Sequence, residues 1–172
     1  MRLGQAVHAD IERWRLWADQ QHGVGRDSDW QMVFADTHDG TCDKVFHASH
    51  LQYNGQPLRC KPDLVLRETY SGKIIIVERT VTTESHLARV TKWGYARIRA
   101  QLWCYAWIDD WLDAPDVFLV CEWWANYKCS LVRPCGWRTS PTLHSECMRY
   151  FKEYGGQWVG PEPRLTHTIK GT

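Results

Sequence analysis

Charge imbalance is missing from this chain: 21 Lys and Arg stand against 20 Asp and Glu, a formal net charge of +1. The field of the whole molecule therefore draws in no polyanion, and nucleic-acid binding has to come from a local patch. Long apolar runs are missing too. No stretch approaches the roughly eighteen apolar residues of a membrane span, and Met1 to Asp10 lacks the apolar core of a secretory leader. The expectation is a soluble, cytoplasmic protein with no membrane contact. There is also no Cys-x-x-Cys. Seven cysteines, an odd number, stand at 42, 60, 104, 121, 129, 135 and 147 with irregular spacing, which argues against a disulfide framework. Cys129-x5-Cys135 followed by His144-x-x-Cys147 leaves a zinc or iron-sulfur site open, with plain buried thiols as the simpler reading. Repeats, low-complexity segments and linkers are absent. With 44% apolar residues, the whole of 1–172 reads as one domain with one core.

What is present is a clear alternation of elements. Leu3, Val7, Ile11 and Trp14 recur at helical spacing, predicting an amphipathic helix over 3–21 that stops at Gly23 and Gly25. Four β-rich runs follow, at 30–35, 44–48, 64–67 and 73–80. The turn signals Asp39-Gly40, Asn54-Gly55 and Ser71-Gly72 make them a hairpin meander. A helical pattern covers 85–112, with Ser85 as N-cap and Pro115 just beyond it. Strands at 117–124 and 129–132 flank Asn126, a helix covers 142–154, and an irregular tail follows Gly155. The fold class expected is α/β, a mixed central sheet flanked by helices.

Two carboxylates are set across one hairpin. Lys61-Pro62-Asp63 precedes one strand, and Ile74-Ile75-Ile76-Val77-Glu78 lies in the next. Metal-assisted phosphodiester hydrolysis needs such acids, because hard divalent cations take oxygen ligands and must keep room for water and a phosphate oxygen. Strand alternation puts Thr80 on the Glu78 side and Arg79 on the other, so the Arg79 side chain is a poor source of positive charge there. A strand-end turn for Asp63 and an edge ion pair for Glu78 are the plainer alternatives.

Together with Gly4-x-x-x-His8 upstream and Gln101-x-x-x-Tyr105 downstream, Pro62-Asp63 and Glu78 resemble the PD-(D/E)XK nuclease superfamily, in particular its RecB-like branch, which includes the small CRISPR-associated exonucleases. The matched positions span residues 4 to 105. The resemblance implies a restriction-endonuclease-like fold and a DNase using Mg²⁺ or Mn²⁺. His8, Asp63 and Glu78 would be the metal ligands, joined by the Arg79 backbone carbonyl, with Gln101 and Tyr105 orienting the strand. Trimming of DNA ends is the implied mode. One part is missing, because Thr80 stands where the family has a lysine, and a neutral hydroxyl cannot stabilise developing negative charge in its place. On a continuous helix Arg97 is offset from Gln101 by about 40° and Lys92 by about 180°, which makes Arg97 the better replacement unless Gly94 resets the phase. Relatives in this branch often carry an iron-sulfur cluster on three C-terminal cysteines. Cys129, Cys135 and Cys147 have the wrong spacing, and no such cluster is expected.

Arg89, Lys92, Arg97 and Arg99 crowd the first half of the expected long helix, and Asp109, Asp110 and Asp113 its end. This opposes the helix dipole, so phosphate contact and a merely solvated face remain equal explanations. Eleven tryptophans include the stripe Trp103, Trp107, Trp111, which faces away from Gln101 and reads as core, with a partner surface as runner-up. The expected partner is DNA, with a protein partner or a second copy of the chain beside it. Two competing readings stay open: a catalytically degenerate subunit of nuclease fold, motivated by Thr80, and a small zinc protein built on the C-terminal cysteines.

Overall fold

The computed structural model describes residues 30–36, 42–87, 95–125 and 128–166, with backbone alone over 128–134. The expected helix over 3–21, the Asp39-Gly40 turn and the Asn126 connection lie outside the described residues.

Strands β1 (Trp30–Ala35), β2 (Phe46–Tyr53), β3 (Gln56–Cys60), β4 (Leu64–Glu68) and β5 (Ile74–Val81) are followed by helix α1 (Glu84–Leu87), helix α2 (Ala96–Tyr105) and a 3-10 turn (Asp109–Trp111). Then come β6 (Val117–Ala125), β7 (Lys128–Trp137), helix α3 (Pro141–Glu153) and β8 (Gly156–Trp158). The main sheet is five-stranded and mixed, in the order β1-β4-β5-β6-β7, and a smaller sheet runs β3-β2-β8. The fold is thus α/β, as expected. In the main sheet β5 and β6 run parallel, while the other neighbours are antiparallel. A parallel pair needs a long crossover, and α1, α2 and the 3-10 turn supply it. That crossover lays α2 over the centre of the sheet.

Turn chemistry fixes the hairpins. Asn54 and Gly55 both have positive φ, 51° and 74°, the requirement of the tight turn that matches strand twist between β2 and β3. Gly72, at φ 73°, closes the β4–β5 hairpin, and its N–H donates to the Glu68 carbonyl at 2.9 Å. Alternation along β5 then divides the core. Ile74 and Ile76 pack with Leu102, Trp103 and Leu119 on the α2 side, while Ile75 and Val77 pack with Leu64, Leu66 and Val120 on the other. A strand buried on both faces has to be apolar throughout until it leaves the core, and β5 is apolar up to Glu78.

Three expectations are corrected. The continuous helix over 85–112 does not exist as such. Thr83, not Ser85, caps α1, its Oγ1 accepting from the His86 N–H at 3.3 Å. The helix carrying Gln101 ends at Tyr105, because Ile108 turns extended and Arg138 donates to the carbonyls of Ala106, Trp111 and Ala114 beyond it. Asp109 and Asp110 therefore open a separate turn, and Asp109 accepts from the Ser49 N–H and hydroxyl at 3.0 and 2.6 Å. The acidic half of the clash with the dipole of α2 disappears, while Arg97 and Arg99 still stand in its first turn. Finally, the tail is not wholly irregular: β8 pairs with β2, with Leu51 opposite Trp158.

The tryptophan stripe is core. Trp103 and Trp111 are fully buried and Trp107 nearly so, with Trp103 and Trp107 meeting edge-on at 6.4 Å. No described helix is long and apolar enough to cross a membrane.

Candidate active site

Asp63 stands one residue before β4, and the Leu64–Val77 register brings it beside Glu78 on β5. Pro62 has no N–H to extend the ladder. The Arg79 N–H instead donates to Asp63 Oδ2 at 2.6 Å, so the carboxylate takes the place of the next strand residue. The Asp63 carbonyl accepts from the Asp36 N–H at 2.8 Å, which fixes the residue from the β1 side as well. Asp63 is buried, at 5% exposure.

Glu78 is held from the helix. Gln101 Nε2 donates to Glu78 Oε1 at 2.9 Å and to the Tyr105 hydroxyl at 2.8 Å. One amide thus joins three side chains picked out by the sequence. The other carboxylate oxygen, Glu78 Oε2, is buried without a hydrogen-bond partner among the described residues. Burial, and after it the charge of Asp63, pushes the Glu78 carboxyl up from 4.5 to about 9 against the opposing Gln101 hydrogen bond. Burial and then Glu78 raise the Tyr105 phenol as well. Two acids side by side, one of them with an orphan oxygen, form a place that a cation would relieve.

The donor set suits a hard divalent ion, since it offers carboxylate oxygen, while the Cys121 thiol opposite Glu78 is kept protonated by burial. No group of three or more His, Cys, Asp and Glu converges among the described residues. His8, like Arg89 and Lys92, lies outside them. The candidate donors in view are therefore two carboxylates.

The remaining site residues are placed as follows. Thr80 shares the Glu78 face of β5, half-buried, opposite Trp123 of β6. Arg79 points to the opposite face, where its Nε meets Glu122 Oε2 at 3.2 Å with both side chains almost wholly buried. It offers the acidic site its peptide group alone. Arg97 is exposed one turn before Gln101, without a hydrogen bond to either acid. Arg99 pairs with Glu146 of α3 and ties the two helices together, so its guanidinium is engaged inside the protein. A surface hollow of about 580 Å³ runs along α3 beside His144, Met148, Arg149 and Lys152, and neither Asp63 nor Glu78 lines it. Its volume is open space along a helix surface, whereas the acidic pair has the chemistry.

Sequence reasoning missed the Arg79–Glu122 pair. The signal was there, because Glu122 is the one charge in the otherwise apolar strand Val117–Ala125. Cys60, Cys104, Cys121, Cys135 and Cys147 are buried and form no disulfide among the described residues, and burial raises their thiols, those of Cys60 and Cys135 to about 12. They behave as small apolar side chains at neutral pH.

Compared with protein-family models, curated proteins and solved structures, the chain matches none of them.

Proposed function

We propose that this protein is a divalent-metal-dependent DNase of PD-(D/E)XK type, similar to the RecB-like branch and acting in the cytoplasm on DNA ends. The observation that supports it is the 2.9 Å contact between Gln101 and Glu78 beside Asp63. Residues singled out separately in the sequence meet in one half-buried cluster, with Tyr105 on the same amide.

Asp63 and Glu78 would hold Mg²⁺ or Mn²⁺, joined by the Arg79 carbonyl and by His8. When bound, the metal supplies a Lewis acid for a phosphate oxygen and an ionised water. The chain's own residues do the rest. The Arg79 N–H keeps Asp63 aimed, the Gln101 amide keeps Glu78 aimed, and Arg97 at the surface meets the strand phosphate. Thr80 adds a hydroxyl and no charge, so the positive charge that the family takes from lysine falls to the metal and Arg97. A protein partner or a second copy would add the DNA-gripping surface that a net charge of +1 does not provide.

The second reading, a nuclease-fold subunit that binds without cutting, draws on Thr80 alone. One assay separates the two. Purified protein is incubated with labelled single- and double-stranded DNA in Mg²⁺ or Mn²⁺, beside Glu78→Ala and Asp63→Asn. The DNase reading expects metal-dependent cleavage that falls on the order of 10³-fold in both variants. Equal background in all three proteins rejects it, and cleavage gained by Thr80→Lys in an inert parent establishes the degenerate subunit.

A further inference from the structure

Tyr95, the residue before α2, is an exposed aromatic at 38% exposure, yet it is not loose. Its hydroxyl and His86 Nε2 are 2.7 Å apart, and its ring meets Trp123 of β6 at 5.5 Å and 79°. An exposed tyrosine held at its tip and along its ring has little rotamer freedom left to lose on binding a ligand.

Its position relative to the acids follows from the register. Glu78 lies opposite Cys121 and Thr80 opposite Trp123, so Trp123 is one same-face step along the strands from Glu78, about 7 Å. Tyr95 rests on Trp123 at that step, and two residues later on the same helix start comes the exposed Arg97. An open aromatic ring, an open guanidinium and a pair of acids thus lie within about one or two nucleotides' reach of one another. Aromatic and basic residues interleaved in this way bind single strands, because every base has a π-face that an aromatic can stack on, while a paired base in a duplex keeps its faces covered. Among the described residues the other exposed tyrosines do not rest on Trp123. Tyr70, at 79% exposure, sits on the β4–β5 turn at the far end of those strands from the acids.

We propose that Tyr95 is a stacking platform for an unpaired base of single-stranded DNA whose neighbouring phosphate enters the Asp63–Glu78 site. The inference rests on the nuclease reading of those acids and deepens it, by making a single strand the substrate.

The test measures binding by fluorescence anisotropy on a Glu78→Gln background, so that the DNA stays uncut. The probes are a single strand of about 12 nucleotides, within the usual site size, and a blunt duplex of the same sequence. Tyr95→Ala is expected to weaken single-strand binding about tenfold and to leave duplex binding unchanged. Tyr95→Trp, which keeps a π-face, restores the single-strand affinity, and Tyr70→Ala changes neither. Unchanged single-strand binding in Tyr95→Ala overturns the proposal. So does an equal loss on strand and duplex, or an equal loss in Tyr95→Ala and Tyr95→Trp with a lowered melting temperature, since that marks a ring that only packs α1 against α2. If the wild-type protein neither binds nor cuts DNA, the nuclease reading falls as well. If it cuts with metal while Tyr95→Ala binds normally, only the platform falls.

Discussion

Two polar groups flank α2, Arg138 buried and Glu78 half-buried, and the protein treats them in opposite ways. Beyond the end of the helix, Arg138 donates to the carbonyls of Ala106, Trp111 and Ala114 and lies 5.3 Å from the Trp107 ring centre. On the sheet-facing side, Glu78 has one oxygen on Gln101, the other without a partner among the described residues, and a second acid beside it. Arg138 supplies donors to three carbonyls at the helix end, one of them, Trp111, also held by the Ala114 N–H at 3.1 Å, which is what a structural buried charge does. Glu78 leaves a costly group without a partner among the described residues, a cost that a bound cation would relieve.

The comparison is broken most forcefully at Arg138. Arg138→Ala is expected to cost about 3 kcal/mol or more in urea unfolding, because three carbonyls lose a charged donor at once. A loss under about 0.5 kcal/mol, the size of an ordinary surface change, ends the claim that Arg138 organises the end of α2.

Glu78→Gln sharpens it from the other side. In chelator-treated protein the Glu78 carboxyl takes up a proton near neutral pH that the unfolded chain does not, since its value rises from 4.5 to about 9 on folding. A raised value means stability fully present below 4.5 and lost as pH rises through about 9. The glutamine variant carries no such loss. It is expected to be the more stable protein at pH 8 and equal to wild type at pH 4, as read by melting temperature at the two values. A glutamine variant that is less stable at pH 8 contradicts an acid held at the expense of the fold.

The smallest effect falls on His144, which packs against Trp103, Trp107 and Trp158 at ring distances of 5.4, 6.0 and 5.8 Å. Burial lowers its value below 6.5, with Glu162 acting against the shift and Lys152 with it. A lowered value means a contribution present above 6.5 and lost as pH falls through the folded-state value. His144→Phe is expected to flatten the acid side of the melting curve by a few degrees at most. Identical acid limbs in the two proteins show that His144 does not titrate in its aromatic surroundings.

Much of the fold was legible because β-strand signals are local. Asn54-Gly55 and Ser71-Gly72 marked hairpins through backbone freedom, and the apolar run before Glu78 marked a strand covered on both faces. The break after Tyr105 was not legible, since Arg138, 33 positions further on, rewards it by donating to the carbonyls beyond it. Nor was β8, three residues whose pairing depends on β2. Within the site, Asp63, Glu78, Gln101 and Tyr105 were readable one by one. Arg99 looked the same as Arg97 in the sequence, and only the arrival of Glu146 from α3 made it an internal tie.

By itself the sequence determined the strand faces, the hairpin turns and which acids border one turn, because these follow from periods of two residues and from backbone freedom over a few. Only tertiary structure decided that Gln101 reaches Glu78, that Arg79 turns away to Glu122, and that Tyr95 is pinned yet open. Those outcomes depend on where a crossover helix comes to rest on the sheet, which is set by packing between residues far apart in the chain.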